Sequence, residues 1–83
     1  MHLRKPILKI LNKKYERASF IECTFRKYDL AFKTDDQGNP ILLFLGKKSS
    51  NGFIKGERYV RILRYDTSGK VIKDHWERKG EAS

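Results

Sequence analysis

Tyr28-Asp29-Leu30-Ala31-Phe32-Lys33-Thr34-Asp35-Asp36-Gln37-Gly38-Asn39-Pro40-Ile41-Leu42-Leu43-Phe44-Leu45 decides the fold class. Tyr28, Leu30 and Phe32 alternate with Asp29, Ala31 and Lys33, the period of a strand with one buried face. Asp35 to Pro40 is a dense turn signal that ends this strand and starts the next. Ile41 to Leu45 is apolar at every position, as expected of a central strand buried on both sides. A strand, a short turn and a second strand make an antiparallel pair.

Upstream, Ser19-Phe20-Ile21-Glu22-Cys23-Thr24-Phe25 is rich in β-formers. The alternation changes phase at Arg26-Lys27, which is read as a bulge or bend in one long strand in preference to a tight turn. Residues 6–17 read as a helix. Pro6 suits the first helical turn, and Leu3, Ile7, Leu8, Ile10, Leu11 and Tyr15 gather on one side of it, with Arg4 and Lys14 intruding. Downstream, Gly46 and Gly56 bound the polar loop Lys47-Lys48-Ser49-Ser50-Asn51-Gly52. Glu57 to Asp66 is a further strand, Asp66-Thr67-Ser68-Gly69-Lys70 a turn with Gly69 in the left-handed position, and Val71 to Arg78 the return strand. Residues 79–83 read as a frayed tail.

The expected fold is mainly β: an N-terminal helix, then a meander of four or five antiparallel strands over 19–78. Closure into a small SH3-like or OB-like barrel would remove its exposed edges. The segment 46–56 is a poor helix, which counts against the OB type. The 83 residues form one domain, 1–83. One cysteine excludes an internal disulfide and fits a reducing compartment. Neither a signal peptide nor a run of about 20 apolar residues is present, so the expected location is cytoplasmic.

Charge is the strongest functional signal. The chain carries 19 Lys+Arg against 10 Asp+Glu, a net of +9, and residues 1–17 alone carry +5. A domain this basic attracts phosphates before any specific contact forms. The last hairpin has the densest mix of cations and aromatics: Arg58, Tyr59, Arg61, Arg64 and Tyr65, then Lys73, His75, Trp76 and Arg78. Single-stranded nucleic acid is held by aromatic faces that stack on bases and cations that follow the backbone.

Which side chains share a face depends on register. With a Thr67-Ser68-Gly69 loop, Asp66 pairs with Lys70 and Tyr59 lies opposite Glu77. Val60, Ile62, Ile72 and Trp76 then form the core, and Tyr59, Arg61, Leu63, Tyr65, Lys73 and His75 form the outer face. With a loop one residue longer, Arg61 faces Asp74 and Tyr59 faces Trp76. Tyr59, Leu63, Ile72 and Trp76 become core instead. Turn chemistry favours the first register and the cross-strand pairs favour the second.

The expected function is a small nucleic-acid-binding module for RNA or single-stranded DNA, with little sequence specificity. Lys9, Lys13, Lys47, Lys48, Arg58, Arg61, Arg64 and Lys73 would contact phosphates; Tyr59, Tyr65 and Trp76 would stack. Charge reversal at Arg61 and Arg64 is expected to weaken binding without unfolding the domain. The alternative is a non-enzymatic protein-interaction domain that docks an acidic partner or an added strand. The helix could also cap the end of the barrel through Ile7, Ile10 and Leu11, grip phosphates or lie on an anionic membrane.

No catalytic residue, cofactor or metal is expected. Lys47 and the serines precede the second glycine and no helix follows, so the loop fails the phosphate-loop pattern. Cys23 sits mid-strand as a small hydrophobe, with nothing to bring His75 to it. Asp35 and Asp36 are explained by their turn. His2, His75 and one cysteine do not make a spaced zinc site.

Overall fold

Five strands lie antiparallel in the order in which they occur in the chain. The structure is a computed structural model and describes residues 3–81. Helix α1 spans Lys5–Leu11, followed by β1 (Phe20–Phe25), β2 (Tyr28–Thr34), β3 (Pro40–Lys48), β4 (Ile54–Tyr65) and β5 (Val71–Glu81). Each strand pairs with the next, and β1 and β5 are the two edges. The sheet is therefore not closed into a barrel. Closure would need backbone hydrogen bonds between β1 and β5, and these strands are not neighbours in the sheet. The helix supplies the second layer instead.

One face of the sheet carries Ile21, Cys23, Leu30, Phe32, Leu43 and Tyr59, aligned by the pairs Ile21↔Phe32, Cys23↔Leu30, Phe32↔Leu43 and Leu43↔Tyr59. Ile7 and Leu11 of α1 complete this core, with Ile10, Tyr15 and Trp76 packed around it. Truncating a fully buried aromatic such as Phe32 would cost about 3–5 kcal/mol. Because the apolar side of α1 is spent on the sheet, it is not available to lie on a membrane. No helix among the described residues is long and apolar enough to cross one.

The helix is shorter than the expected 6–17. Asn12 caps it with φ −88° and ψ −1°. Beyond it the chain finds partners in the β2–β3 turn. Tyr15 N–H donates to the Gly38 carbonyl at 2.9 Å, Tyr15 O–H donates to the Ile10 carbonyl at 2.6 Å, and the Tyr15 ring meets Phe32 edge-on at 4.9 Å. A Cβ on Gly38 would collide with the Tyr15 carbonyl oxygen, and Gly38 has φ +82°. Only glycine suits that position. Asp35 organises the same turn by accepting from Gln37 and Asn39 N–H, both at 2.9 Å. Burial raises the Asp35 carboxyl pKa, but these bonds and nearby Lys14 outweigh it and hold the group below its ordinary value.

Arg26-Lys27 is a tight turn, not a bend in one long strand. Phe25 pairs directly with Tyr28, and Arg26 takes φ 56°. A two-residue hairpin loop puts its flanking residues on the same face, so it changes the phase of alternation as a bulge does. At the other end, residues 79–81 belong to β5 and are not a frayed tail, because Arg58 pairs with Gly80 and Glu57 with Glu81. Residues 82–83 of that expected tail lie outside the described residues.

The last hairpin follows neither expected register along its length. Asp66 N–H donates to the Lys70 carbonyl at 2.9 Å, as the turn chemistry requires. A bulge between Arg64 and Tyr65 then shifts the pairing, so that Arg64↔Lys73, Arg61↔Trp76 and Tyr59↔Arg78 are partners. The extra residue is Ile72. It is 64% exposed and not core, whereas Tyr59 is 2% exposed and central to the core.

The β3–β4 hairpin bends sharply where Gly46 pairs with Gly56. A Cβ on either glycine would collide with the opposing backbone. Past this point the hairpin leans over the sheet face opposite α1. Lys48 N–H donates to the Asp29 carboxylate, and Lys48 Nζ reaches Glu22 of β1, each at 2.7 Å. Phe53 and Ile54 line a cleft together with Phe20 of β1. In a flat sheet β4 would lie about 14 Å from β1, three strand spacings away, so the bend makes the cleft.

Candidate functional site

The sheet face away from α1 is the richest surface for chemistry. Pairing places Phe20, Lys33, Leu42 and Val60 in one row across β1 to β4, and Glu22, Ala31, Phe44 and Arg58 in the next. The same alternation continues to Ile62 with His75 and Arg64 with Lys73. Among the described residues, Lys33, Arg58, Arg64 and Lys73 are exposed and have no carboxylate within ion-pair distance. Glu22 is paired with Lys48, and Glu77 with Lys79 at 2.9 Å. The hydrogen bond that Lys48 donates to Glu22, with that carboxylate's negative charge, holds the Lys48 pKa above its ordinary value.

A cleft of about 400 Å³ opens on this face. Ala31 and Ile54 are buried at its base, while Phe20 and Phe53 are 52% and 69% exposed. Lys33 and Glu22 also line it. Small-ligand pockets run from about 300 Å³ upward. An apolar slot between aromatic edges, with a cation beside it, suits a flat π-system attached to a phosphate.

The residues nominated from sequence divide into several groups. Arg58, Arg64 and Lys73 belong to this face, and Lys48 stands at its edge. Lys9 and Lys13 are exposed on or just beyond α1, on the opposite side of the molecule. Lys47 Nζ donates to the Lys27 carbonyl. The basic residues therefore do not form one patch. None of the three nominated aromatics lies on the outer face. Tyr59 is in the core and donates its O–H to Glu57 at 2.7 Å. Burial, then that bond to the Glu57 carboxylate and its charge, pushes its pKa up to about 12. Tyr65 is on the α1 side near the hairpin end, where its hydroxyl accepts from Asn39 at 3.5 Å. Trp76 is half-buried on that side, and its Nε1 has no hydrogen-bond partner among the described residues.

Arg61 holds elements together. Its Nε and Nη2 donate to the two Asp74 carboxylate oxygens, both at 2.7 Å. Nη1 donates to the carbonyls of Leu11 at 3.1 Å and Pro40 at 3.3 Å, and Nη2 also reaches Asn12 Oδ1. The guanidinium lies 5.6 Å from the Trp76 ring centre, and only 7% of the side chain is exposed. It thus ties the end of α1 to β3, β4 and β5. Reversing its charge would disrupt the fold, so the expected Arg61/Arg64 binding test does not isolate a surface.

Phe20, Phe44 and Phe53 were not nominated from sequence. The signal for Phe20 was its two-residue spacing from Glu22 and Thr24, which puts a large aromatic on the polar side of β1. Phe53 gave no signal beyond being an aromatic beside Gly52 in a polar loop.

Other candidate chemistry is dispersed. Cys23 faces α1, half-buried, and burial raises its pKa. It lies on one edge strand and His75 on the other, on opposite faces, so they form no pair. No cluster of three or more potential metal ligands occurs among the described residues. A second cavity of about 280 Å³ lies under Leu3 and Ile7, but its Tyr59 and Glu57 are already bonded to each other. Comparison with known proteins finds no matching family model, no matching curated protein and no matching solved structure.

Proposed function

We propose that this chain is a small nucleic-acid-binding module that takes single-stranded RNA or DNA on the sheet face away from α1. The observation that carries the proposal is the set of four cations, Lys33, Arg58, Arg64 and Lys73, that have no carboxylate partner among the described residues and share one face of a +9 domain with exposed Phe20 and Phe53. Cations along the strand path supply affinity through counterion release. Aromatic faces accept any base, so binding tolerates most sequences. Lys9, Lys13 and Lys47 add to the attractive field from outside this face.

The test is fluorescence anisotropy of a labelled single-stranded RNA 12-mer at several salt concentrations. Four phosphate contacts give a log–log slope of about −3, at about 0.7 per contact. Replacing Arg58, Arg64 and Lys73 together by Glu should abolish most of the binding while circular dichroism stays native. Replacing Lys9 and Lys13 by Glu should cost far less. A folded triple variant that binds as well as the parent removes this face from the proposal.

A second reading is supported by the open sheet, whose edges β1 and β5 each have a neighbour on one side only. A partner strand could add there through backbone hydrogen bonds. Such binding would depend weakly on salt.

A further inference from the structure

We infer that the cleft between Phe20 and Phe53 is a slot for a single unstacked nucleobase, and that Glu22 biases it toward bases that carry an exocyclic amino group. The slot presupposes the nucleic-acid binding proposed above and adds a base preference to it. Three features favour this occupant. The cleft has two exposed phenylalanines and a base of Ala31, Phe44 and Ile54, which suits a flat apolar ring. Lys33 lines the same cleft, and pairing places it directly beside Phe20. It is therefore at the right position for the phosphate of the nucleotide whose base enters. The chain as a whole carries +9, which complements a polynucleotide and opposes a basic peptide.

Among the described residues, Glu22 is the one carboxylate that lines the cleft. Its Oε2 accepts from Lys48 Nζ at 2.7 Å. A carboxylate has acceptor capacity for more than one donor. It can therefore also take an N–H from the amino group of cytosine or adenine, or from the amino edge of guanine. Uracil presents a carbonyl oxygen where cytosine presents N4–H₂. A carboxylate facing that oxygen gains no bond and adds repulsion.

The experiment compares labelled oligo(C) and oligo(U) 12-mers by anisotropy at one salt concentration near neutral pH, using the full chain. The two ligands have equal charge and ring size, so the backbone contribution cancels. The expected result is about five- to tenfold tighter binding of oligo(C), the low end for one base contact at a partly exposed site. Glu22→Gln should reduce that ratio to about two or less, with a native melting temperature. Phe53→Leu, at an exposed loop position, should weaken both ligands several-fold. If oligo(C) and oligo(U) bind equally, or if Glu22→Gln leaves the ratio unchanged, the slot is overturned while the binding surface stands. If neither ligand binds at physiological salt, the slot and the proposed function fail together.

Discussion

Replacing Arg61 by Ala should destabilise this domain more than the loss of any other cation. The substitution removes two 2.7 Å bonds to Asp74 and leaves the Leu11 and Pro40 carbonyls short of a donor. It also strips the guanidinium from Trp76. Net bonds to charged groups are worth about 1.5–3 kcal/mol each when buried. Asp74 is partly exposed, so its share falls toward about 1 kcal/mol. With the orphaned carbonyls and lost stem packing, the total comes to about 3 kcal/mol. An 83-residue domain has about 4–12 kcal/mol in all. The melting temperature should fall by about 12–24 °C. Urea unfolding followed by Trp76 fluorescence should show a midpoint lower by about 1–3 M with unchanged slope. Arg64→Ala, at an exposed position three residues on, should shift stability by no more than about 0.5 kcal/mol. Arg61→Lys should recover only part of the loss, because an ammonium cannot make the forked contact. If Arg61→Ala proves as mild as Arg64→Ala, the account of Arg61 as the tie between α1 and the last hairpin is wrong.

Acid should loosen the same region. The bonds from Arg61 hold the Asp74 carboxyl below its usual range. A carboxyl with a depressed folded pKa adds stability that is present above the unfolded value of about 3.9 and is lost as pH falls through the folded value. Stability should therefore drop below about pH 4, and Asp74→Asn should flatten that part of the profile, as measured by urea midpoints across pH. Gly46→Ala should cost several kcal/mol or prevent folding, since its Cβ would meet the Lys55 backbone at the bend. If it folds with a native melting temperature, the sharp bend at the Gly46–Gly56 pair is not required.

Strand content, the order of the elements and the turns at 35–40 and 66–70 were legible because each has a local cause. Alternation marks a half-buried strand. Asp and Gly at fixed offsets mark the turns, and Asp66 does accept from Ser68 and Lys70 N–H, each at 2.9 Å. The turn at Arg26-Lys27 was misread because a bulge and a two-residue loop leave the same phase change in the pattern. The helix end was misread because periodicity continues to Tyr15, while its N–H and ring are captured by Gly38 and Phe32. Those partners lie about twenty residues further along the chain.

For the candidate site, the sequence by itself determined the excess of positive charge and the presence of cations on alternating strand positions. Arg58, Arg64 and Lys73 share a face by strand alternation alone, once the bulge at Ile72 is allowed for. Only the tertiary structure decided which aromatics accompany them. One extra residue in β5 turns Trp76 toward α1 with Tyr59 and Arg61, because side-chain direction reverses at every step along a strand. The cleft itself needs the Gly46–Gly56 bend, which brings Phe53 from the β3–β4 loop to Phe20 of β1. Composition and period fix what a strand offers to each side. Long-range closure fixes which side is covered and which side chains from distant strands meet there.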